Sequence, residues 1–539
     1  MSAKIKLMAL AVTAIMTTAC GGSSSSDDSG NPSVGDNGNP TTGDNGNPTT
    51  GDNGNPTTGD NGNPTTGDNG NPPTDGNNPP TAGVPVAAFS GLLFSATGDI
   101  NQGAELWASD GTEAGTRLVK DLNDAGSSNP HNFVKAGNVH FFVASNNING
   151  KELWKTDGTA AGTTLVKDIH PSGDANPALL TALDNKLIFV ASDDTDRAVW
   201  VSDGTADGTV RVTNGSTGVD PGTPSEMVAF NNKVYFAAGV QGTLSSELWS
   251  TDGTAAGTQL HRVNPNRVPV TGLPAGASTP YLGANIRKMV ATDDNLFFIG
   301  NNGNTNANFA ALRVDTSNTV QRLGSDPGIS ELELVSFAAN NAGVAYSYNF
   351  GGGDIAGFYA KNNFARRAIT TFSQGVSRPT NLTALGDKLL FAVDSGSGGE
   401  ELWVSTGFYN GTTRVKDIRP GNEDSDIRDM TALGSKAIFV ARDGAPGGGM
   451  TAGEQLWVTD GTADNTLKIN DQATNINQFK EVSGKLYFTA ASATHGNELW
   501  VTDGTFAGTK MVKDINTGSN SSSPLLVGAP QIQMMLKKR

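Results

Sequence analysis

Cysteine is almost missing from this chain: Cys20 stands alone in 539 residues. No intrachain disulfide can form, and an exported domain of this size does not need one. Aromatic residues reach only 7%, hydrophobic residues 36% and charged residues 17%. The histidines (His131, His140, His170, His261 and His495) are scattered, without a metal-ligand spacing such as H-E-x-x-H. No G-x-S-x-G elbow and no Walker loop occurs, and Gly351-Gly352-Gly353-Asp354 is a lone glycine cluster that reads as a loop. Positive charge is short as well. With 37 Lys and Arg against 53 Asp and Glu, the net charge is −16. That field repels phosphates and anionic headgroups, so nucleic acid is excluded as an expected partner. The N-terminal apolar run, Leu7–Met16, is about half the roughly 20 residues that a spanning helix needs.

What that run does fit is a signal peptide over residues 1–19. Lys4 and Lys6 supply the basic start, and Thr17-Thr18-Ala19 places small residues before Cys20. The arrangement resembles the bacterial lipobox, with Thr17 standing where Leu is commonest. In that pattern the cysteine becomes the lipidated mature N-terminus. The bland alternative is an ordinary secretory signal with an incidental cysteine. The position of Cys20 at the cleavage point favours lipidation. Gly21 after the cysteine resembles the pattern for outer-membrane sorting, so a lipid-anchored, cell-surface chain is expected, with a periplasm-facing one left open.

Residues 20–83 form a linker of low complexity. The octad GDNGNPTT starts at Gly35 and recurs at residues 43, 51 and 59, with a decayed copy at 67–74. Nothing in it can bury apolar surface, so it is expected to stay disordered. A flexible chain of this length spans roughly 45 Å on average.

From residue 84 to 539 the chain repeats about every 47 residues. The marker is E-L-W-x-[ST]-D-G-T-x-x-G-T followed by V-K-D-[IL]. Clear copies start at Glu105, Glu152, Glu247 and Glu498, and looser ones at Ala198, Glu401 and Gln455. The motif residues are Trp107, Asp110 and Gly111; Trp154, Asp157 and Gly158; Trp200, Asp203 and Gly204; and Trp249, Asp252 and Gly253. Further on come Trp403; Trp457, Asp460 and Gly461; and Trp500, Asp503 and Gly504. Two eroded units fit around Leu312 and Tyr359, giving nine units in all. Each unit reads as four short strands separated by Gly, Asn and Asp turns. A period of 40–50 residues with four strands predicts an all-β chain, a single β-propeller of eight or nine blades. Pro524–Leu536 is expected to pair with the first blade and close the ring, leaving no open edge.

The motif residues carry structural expectations. The Asp accepts backbone N–H bonds inside its turn, and the Gly supplies positive φ. The tryptophan packs between blades, although a ring of Trp platforms for sugars is an alternative. The recurring lysines Lys120, Lys167, Lys416 and Lys513 fall on the outermost strands, where they would block edge-to-edge pairing. The repeats resemble the ELWxxDGT repeats of bacterial exported and surface proteins. That resemblance covers nearly the whole folded part. It implies a propeller-like domain outside the cytoplasm and no settled activity.

No catalytic residue is assigned and no cofactor is expected. The acidic loop residues Glu423, Asp424 and Asp426 could hold a structural calcium, with surface solvation the default. Variable loops lie on one face of the blades: Thr213–Ser225, Gln241–Ser246, Asn264–Ala284, Arg419–Arg428 and Arg442–Gly453. Function usually sits on such loops. The eroded units, around Tyr359, Arg366 and Arg367, are a second candidate. The leading expectation is a monomeric, non-catalytic binding or adhesion module that recognises an extracellular protein or glycan. An extracellular polysaccharide hydrolase or lyase and a structural envelope component stand as alternatives.

Overall fold

A computed structural model describes residues 89–98, 103–124, 126–213, 224–239, 246–261, 263, 284–301, 309–325, 334–340, 343–350, 353–360, 366–371, 379–396, 398–406, 411–444 and 453–526. The chain divides into two units, Met1–Ala82 and Gly83–Arg539, and every described residue belongs to the second. Cys20, the signal segment 1–19 and the linker 20–83 lie outside the described residues.

The described residues hold strands and turns and no α-helix. Eight four-stranded antiparallel sheets follow one another, each in simple meander order, together with one three-stranded sheet at the start. Blade 1 is that three-stranded sheet: Leu92–Thr97, Ala104–Ser109 and Arg117–Lys120. The inner strands of the next blades are His131–Ala136, Ala178–Leu183, Glu226–Phe230 and Arg287–Ala291. Those of blades 6 to 9 are Leu334–Asn340, Thr380–Leu385, Arg428–Leu433 and Thr474–Val482. The two eroded units are thus complete blades 5 and 6.

The ring closes as expected, and the described part of the closing segment shows how. Leu525 bridges Ser95: its N–H donates to the Ser95 carbonyl at 2.8 Å, and Ser95 N–H donates back at 3.2 Å. Thr97 N–H donates to the Ser522 carbonyl at 2.9 Å. The C-terminal segment thereby supplies the innermost partner that blade 1 lacks. Residues from 527 onward lie outside the described set.

The core is a series of inter-blade layers. Middle strands such as Lys186–Ser192 are buried along nearly their whole length, since both faces of a blade meet a neighbour. Each tryptophan packs back onto the preceding blade. Trp200 joins Phe141 and Leu153 of blade 2, Trp249 joins Val199 and Val201 of blade 3, and Trp500 joins Leu456 of blade 8. Trp107 of blade 1 packs with Leu499 and Val501 of blade 9, so the last interface repeats the others.

Candidate functional site

Three hydrogen-bonded layers account for the repeat, and what they leave over is the axial rim. The first layer is the D-G-T turn. In blade 1 the Asp110 carboxylate accepts from Thr112 N–H at 2.8 Å and from its hydroxyl at 2.7 Å. The Thr112 hydroxyl accepts from Gly115 N–H, and the Thr116 hydroxyl donates to the Thr112 carbonyl. Ser109 accepts from Gly111 N–H, and Gly111 sits at φ +88°. A Cβ on Gly115 would meet the Asp110 carboxylate at 2.2 Å, so the second glycine of the motif is fixed by space. The same Asp-to-Thr bonds recur at Asp157, Asp203, Asp252, Asp460 and Asp503. The threonine hydroxyl holds Asp110, Asp203, Asp252, Asp460 and Asp503 below the ordinary carboxylate range. Gly158, Gly204, Gly253, Gly461 and Gly504 repeat the positive φ of Gly111.

The second layer adds a contact to the expectation for the lysines. They lie on the outermost strands, as expected, and each reaches across to the next blade. Lys120 donates to the Thr163 carbonyl of the next blade at 2.9 Å, Lys167 to Thr209, Lys416 to Thr466 and Lys513 to Thr116. The acceptor in each case is the final threonine of the neighbouring D-G-T turn. A lysine stem long enough to cross the gap ties outer strand to outer strand.

The third layer rests on a residue that sequence reasoning passed over, the glutamate before L-W. It is buried and pins the loop that crosses to the next blade. Glu105 accepts from Leu122 N–H at 2.9 Å and Ser128 N–H at 2.7 Å. Glu498 accepts from Ile515 N–H at 3.0 Å and Ser522 N–H at 2.9 Å. Glu152 and Glu401 act likewise on Ile169 and Ile418. Burial raises all four carboxyls, Glu152 to about 7. The signal was present in the sequence, because the glutamate keeps a constant distance of 17 residues to its first amide. Where Gln455 replaces it, Asn470 takes over and accepts from Gln472 and Ala473 N–H.

At the axis, the inner strands meet through side chains that bind backbone. Glu226 of blade 4 accepts from the Lys288 and Met289 amides of blade 5, both at 3.0 Å. Asn381 of blade 7 donates to the Ile427 carbonyl at 2.7 Å. Gln478 of blade 9 donates to the Pro524 carbonyl at 3.1 Å and accepts from Leu526 N–H at 3.0 Å. The inner strands carry β-bulges there, with left-handed residues at Asn132, Leu179, Lys288, Asn381, Asp429 and Gln478. A bulge turns amides out of the ladder and re-aims side chains.

Of the variable loops, Arg419–Arg428 is described. It carries Arg419 paired with Glu423 at 3.4 Å, and Asp426 paired with Arg442 at 2.9 Å. Most of the other four loops lies outside the described residues. Among the described residues, no group of three or more His, Cys, Asp or Glu is placed to hold a metal ion.

No family model and no curated protein matches this chain. Its strands are similar to those of solved peptidases. One is from a study of two prolyl endopeptidases, at 9% identity and TM-score 0.39, covering 62% of this chain and 49% of that one. Another is oligopeptidase B from Leishmania major, at 10% identity and TM-score 0.38, covering 64% and 49%. A third is the β-propeller domain of the Trilobed protease from Pyrococcus furiosus, at 13% and 0.35, covering 63% and 98%. This chain thus spans about half the length of the two whole peptidases. The propeller fold rests on the successive sheets and the closing bridge of this chain itself.

The expectation of a non-catalytic adhesion module is corrected here. The solved structures similar to this chain that are named above are peptidases or a protease's propeller domain. The tryptophans meet the expectation of inter-blade packing: six of the seven are buried to 8% exposure or less. Among the described residues, the large exposed apolar side chains are Ile148, Val210, Leu467, Phe506 and Leu525. No hydrolase domain accompanies the propeller among the described residues.

Proposed function

We propose that this chain is a peptide-handling propeller. It takes hold of extended peptide at its axial rim, while any bond cleavage belongs to a separate hydrolase. The carrying observation is the grip of Gln478 on Pro524–Leu526. One side-chain amide reads a carbonyl and an N–H two residues apart on an extended segment of the chain itself. Those are the two bonds by which an amide side chain would read any extended peptide. The D-G-T turns, the straps and the pinned loops hold the ring, and the rim side chains Asn381 and Gln478 show backbone-reading chemistry on the chain's own segments.

In this reading the protein is exported and carries lipid on Cys20, as in the ELWxxDGT-repeat proteins it resembles. An outer-membrane lipid anchor would bring the propeller to peptides outside the cytoplasm. The test is fluorescence anisotropy of the purified protein against a panel of labelled, extended ten-residue peptides, with mass spectrometry of the peptides afterwards. Saturable binding of intact peptides supports the proposal. No binding up to millimolar peptide overturns it, and cut peptides overturn the separation of binding from cleavage.

A further inference from the structure

Blade 9 holds one charged residue that the ring does not explain. Its inner strand, Thr474–Val482, places Lys480 opposite Tyr487. The corresponding residues of six other inner strands are Val134, Thr181, Val228, Val290, Thr383 and Thr431, each opposite an aliphatic or aromatic residue. A lysine therefore stands where the fold uses valine or threonine. Tyr487 packs in the layer between blades 9 and 1, and Val482 packs against the same layer, which includes Leu526. Two residues before Lys480, Gln478 holds Pro524 and Leu526. Lys480 thus faces the closing segment, between those two contacts.

Lys120, Lys485 and Lys513 each end on a backbone carbonyl of a neighbouring blade. Lys480 is partly buried, and among the described residues its ammonium makes no hydrogen bond and no ion pair. Glu481 is turned to the other face: it lies opposite Leu486, which packs with blade 8, and accepts from Gly484 N–H at 2.8 Å. Residues 527–539 include no Asp or Glu, so no side chain there supplies a counter-charge. Burial pulls the Lys480 ammonium below the ordinary lysine range, with Glu481 opposing the shift. A charge held partly out of water without a partner costs free energy. Groups kept in that state gather at functional sites.

We infer that Lys480 receives a carboxylate of the peptide held at the rim, so that the ligand is an acidic peptide. The inference rests on the peptide-handling reading and deepens it: Gln478 shows how backbone is read on this strand, and Lys480 adds a charge to be matched. The net charge of −16 repels such a ligand at a distance. The preference therefore arises at contact and not from long-range steering. A Glu or Asp side chain and a free C-terminus share the chemistry, and the experiment separates them.

The experiment measures binding of labelled ten-residue peptides to the full chain. In one arm a single Glu is moved along a neutral peptide blocked at both ends, each version set against its Gln counterpart. In the other, the neutral peptide carries a free C-terminal acid or an amide. In one arm or the other, the acidic peptide is expected to bind at least about tenfold more tightly than its neutral counterpart, the order for a hydrogen bond to a charged group. The arm that shows the gain names the source of the carboxylate. Lys480→Met is expected to erase the gain and leave the affinity of the neutral peptide unchanged, and Lys480→Arg to keep it. Lys480→Met is also expected to unfold at the same or a higher urea concentration, since it removes a charge without a partner. Neutral peptides that bind with no gain in either arm overturn the assignment of Lys480 and leave peptide handling standing. A gain that survives Lys480→Met, or a Lys480→Met chain that unfolds at lower urea, also overturns the assignment. Failure of every peptide to bind overturns the reading beneath it.

Discussion

The Lys513 ammonium donates to the Thr116 carbonyl at 2.9 Å, joining residues 397 positions apart. It is the same bond that joins Lys120 to Thr163 between neighbouring blades. The ring is therefore closed by the rule that builds it. Blade 9 is tied to blade 1 a second time by Lys485, which donates to the Asp110 carbonyl at 2.9 Å.

Lys513→Met should keep the apolar stem and lose the strap. Thr116 is buried, so its carbonyl would lose a charged donor with little water to replace it. The expected loss is about 1.5–3 kcal/mol, the range for a hydrogen bond to a charged group. Urea unfolding checks it. Lys120→Met should cost a similar amount, because the two bonds are the same. A much smaller loss at Lys513 would mean that closure does not depend on the strap.

Glu152 gives the pH dependence its sign. Burial pushes its carboxyl up to about 7, from an ordinary 4.5. The folded chain binds that proton more tightly than the unfolded chain does. The stability it contributes is complete below about pH 4.5 and is lost as pH rises through 7. Glu400, pushed to about 7 by burial, acts in the same direction. Unfolding free energy measured at several pH values should fall between about pH 5 and 8, and Glu152→Gln should flatten that slope. A slope unchanged by the substitution would assign the effect elsewhere.

Two glycines separate space from conformation. Gly115→Ala drives a Cβ into the Asp110 carboxylate and should disrupt the blade 1 turn. Gly434 also sits in a turn, at φ +62°, and a Cβ added there would meet nothing within 4 Å. Gly434→Asn should be nearly neutral, since Asn tolerates the left-handed region. Thermal unfolding of the two variants makes the comparison.

Trp200→Ala should cost about 3–5 kcal/mol, as large-to-small changes at buried aromatic sites do. The ring lies against Phe141 and Leu153 of blade 2, so the loss should appear as weaker coupling between blades 2 and 3. Denaturant unfolding checks it. A loss below about 1 kcal/mol would show that the interface collapses around the gap.

Much of the scaffold was readable from the residues. The spacing of Trp107, Trp154 and Trp200 gives the blade period, and D-G-T marks its turns. The lysines were readable as a position but not as a contact. Lys120 meets Thr163 only because the blades stack, and a one-dimensional pattern does not carry that geometry. The glutamates were visible in the motif. Their task depends on burial, which emerges only when Leu122 and Ser128 are folded over Glu105. The rim was hidden most fully. Asn132, Leu179, Glu226 and Lys288 share no residue type, and their common position is set by the backbone of the inner strand, which sequence does not announce.

Amide hydrogen exchange on the full chain, with and without a saturating ten-residue peptide, tests peptide handling at the axial rim most directly. Bound peptide should slow exchange at the inner strands and leave the D-G-T turns at Asp110, Asp203 and Asp503 unchanged. Protection confined to those turns, or no change at the inner strands, would contradict the account.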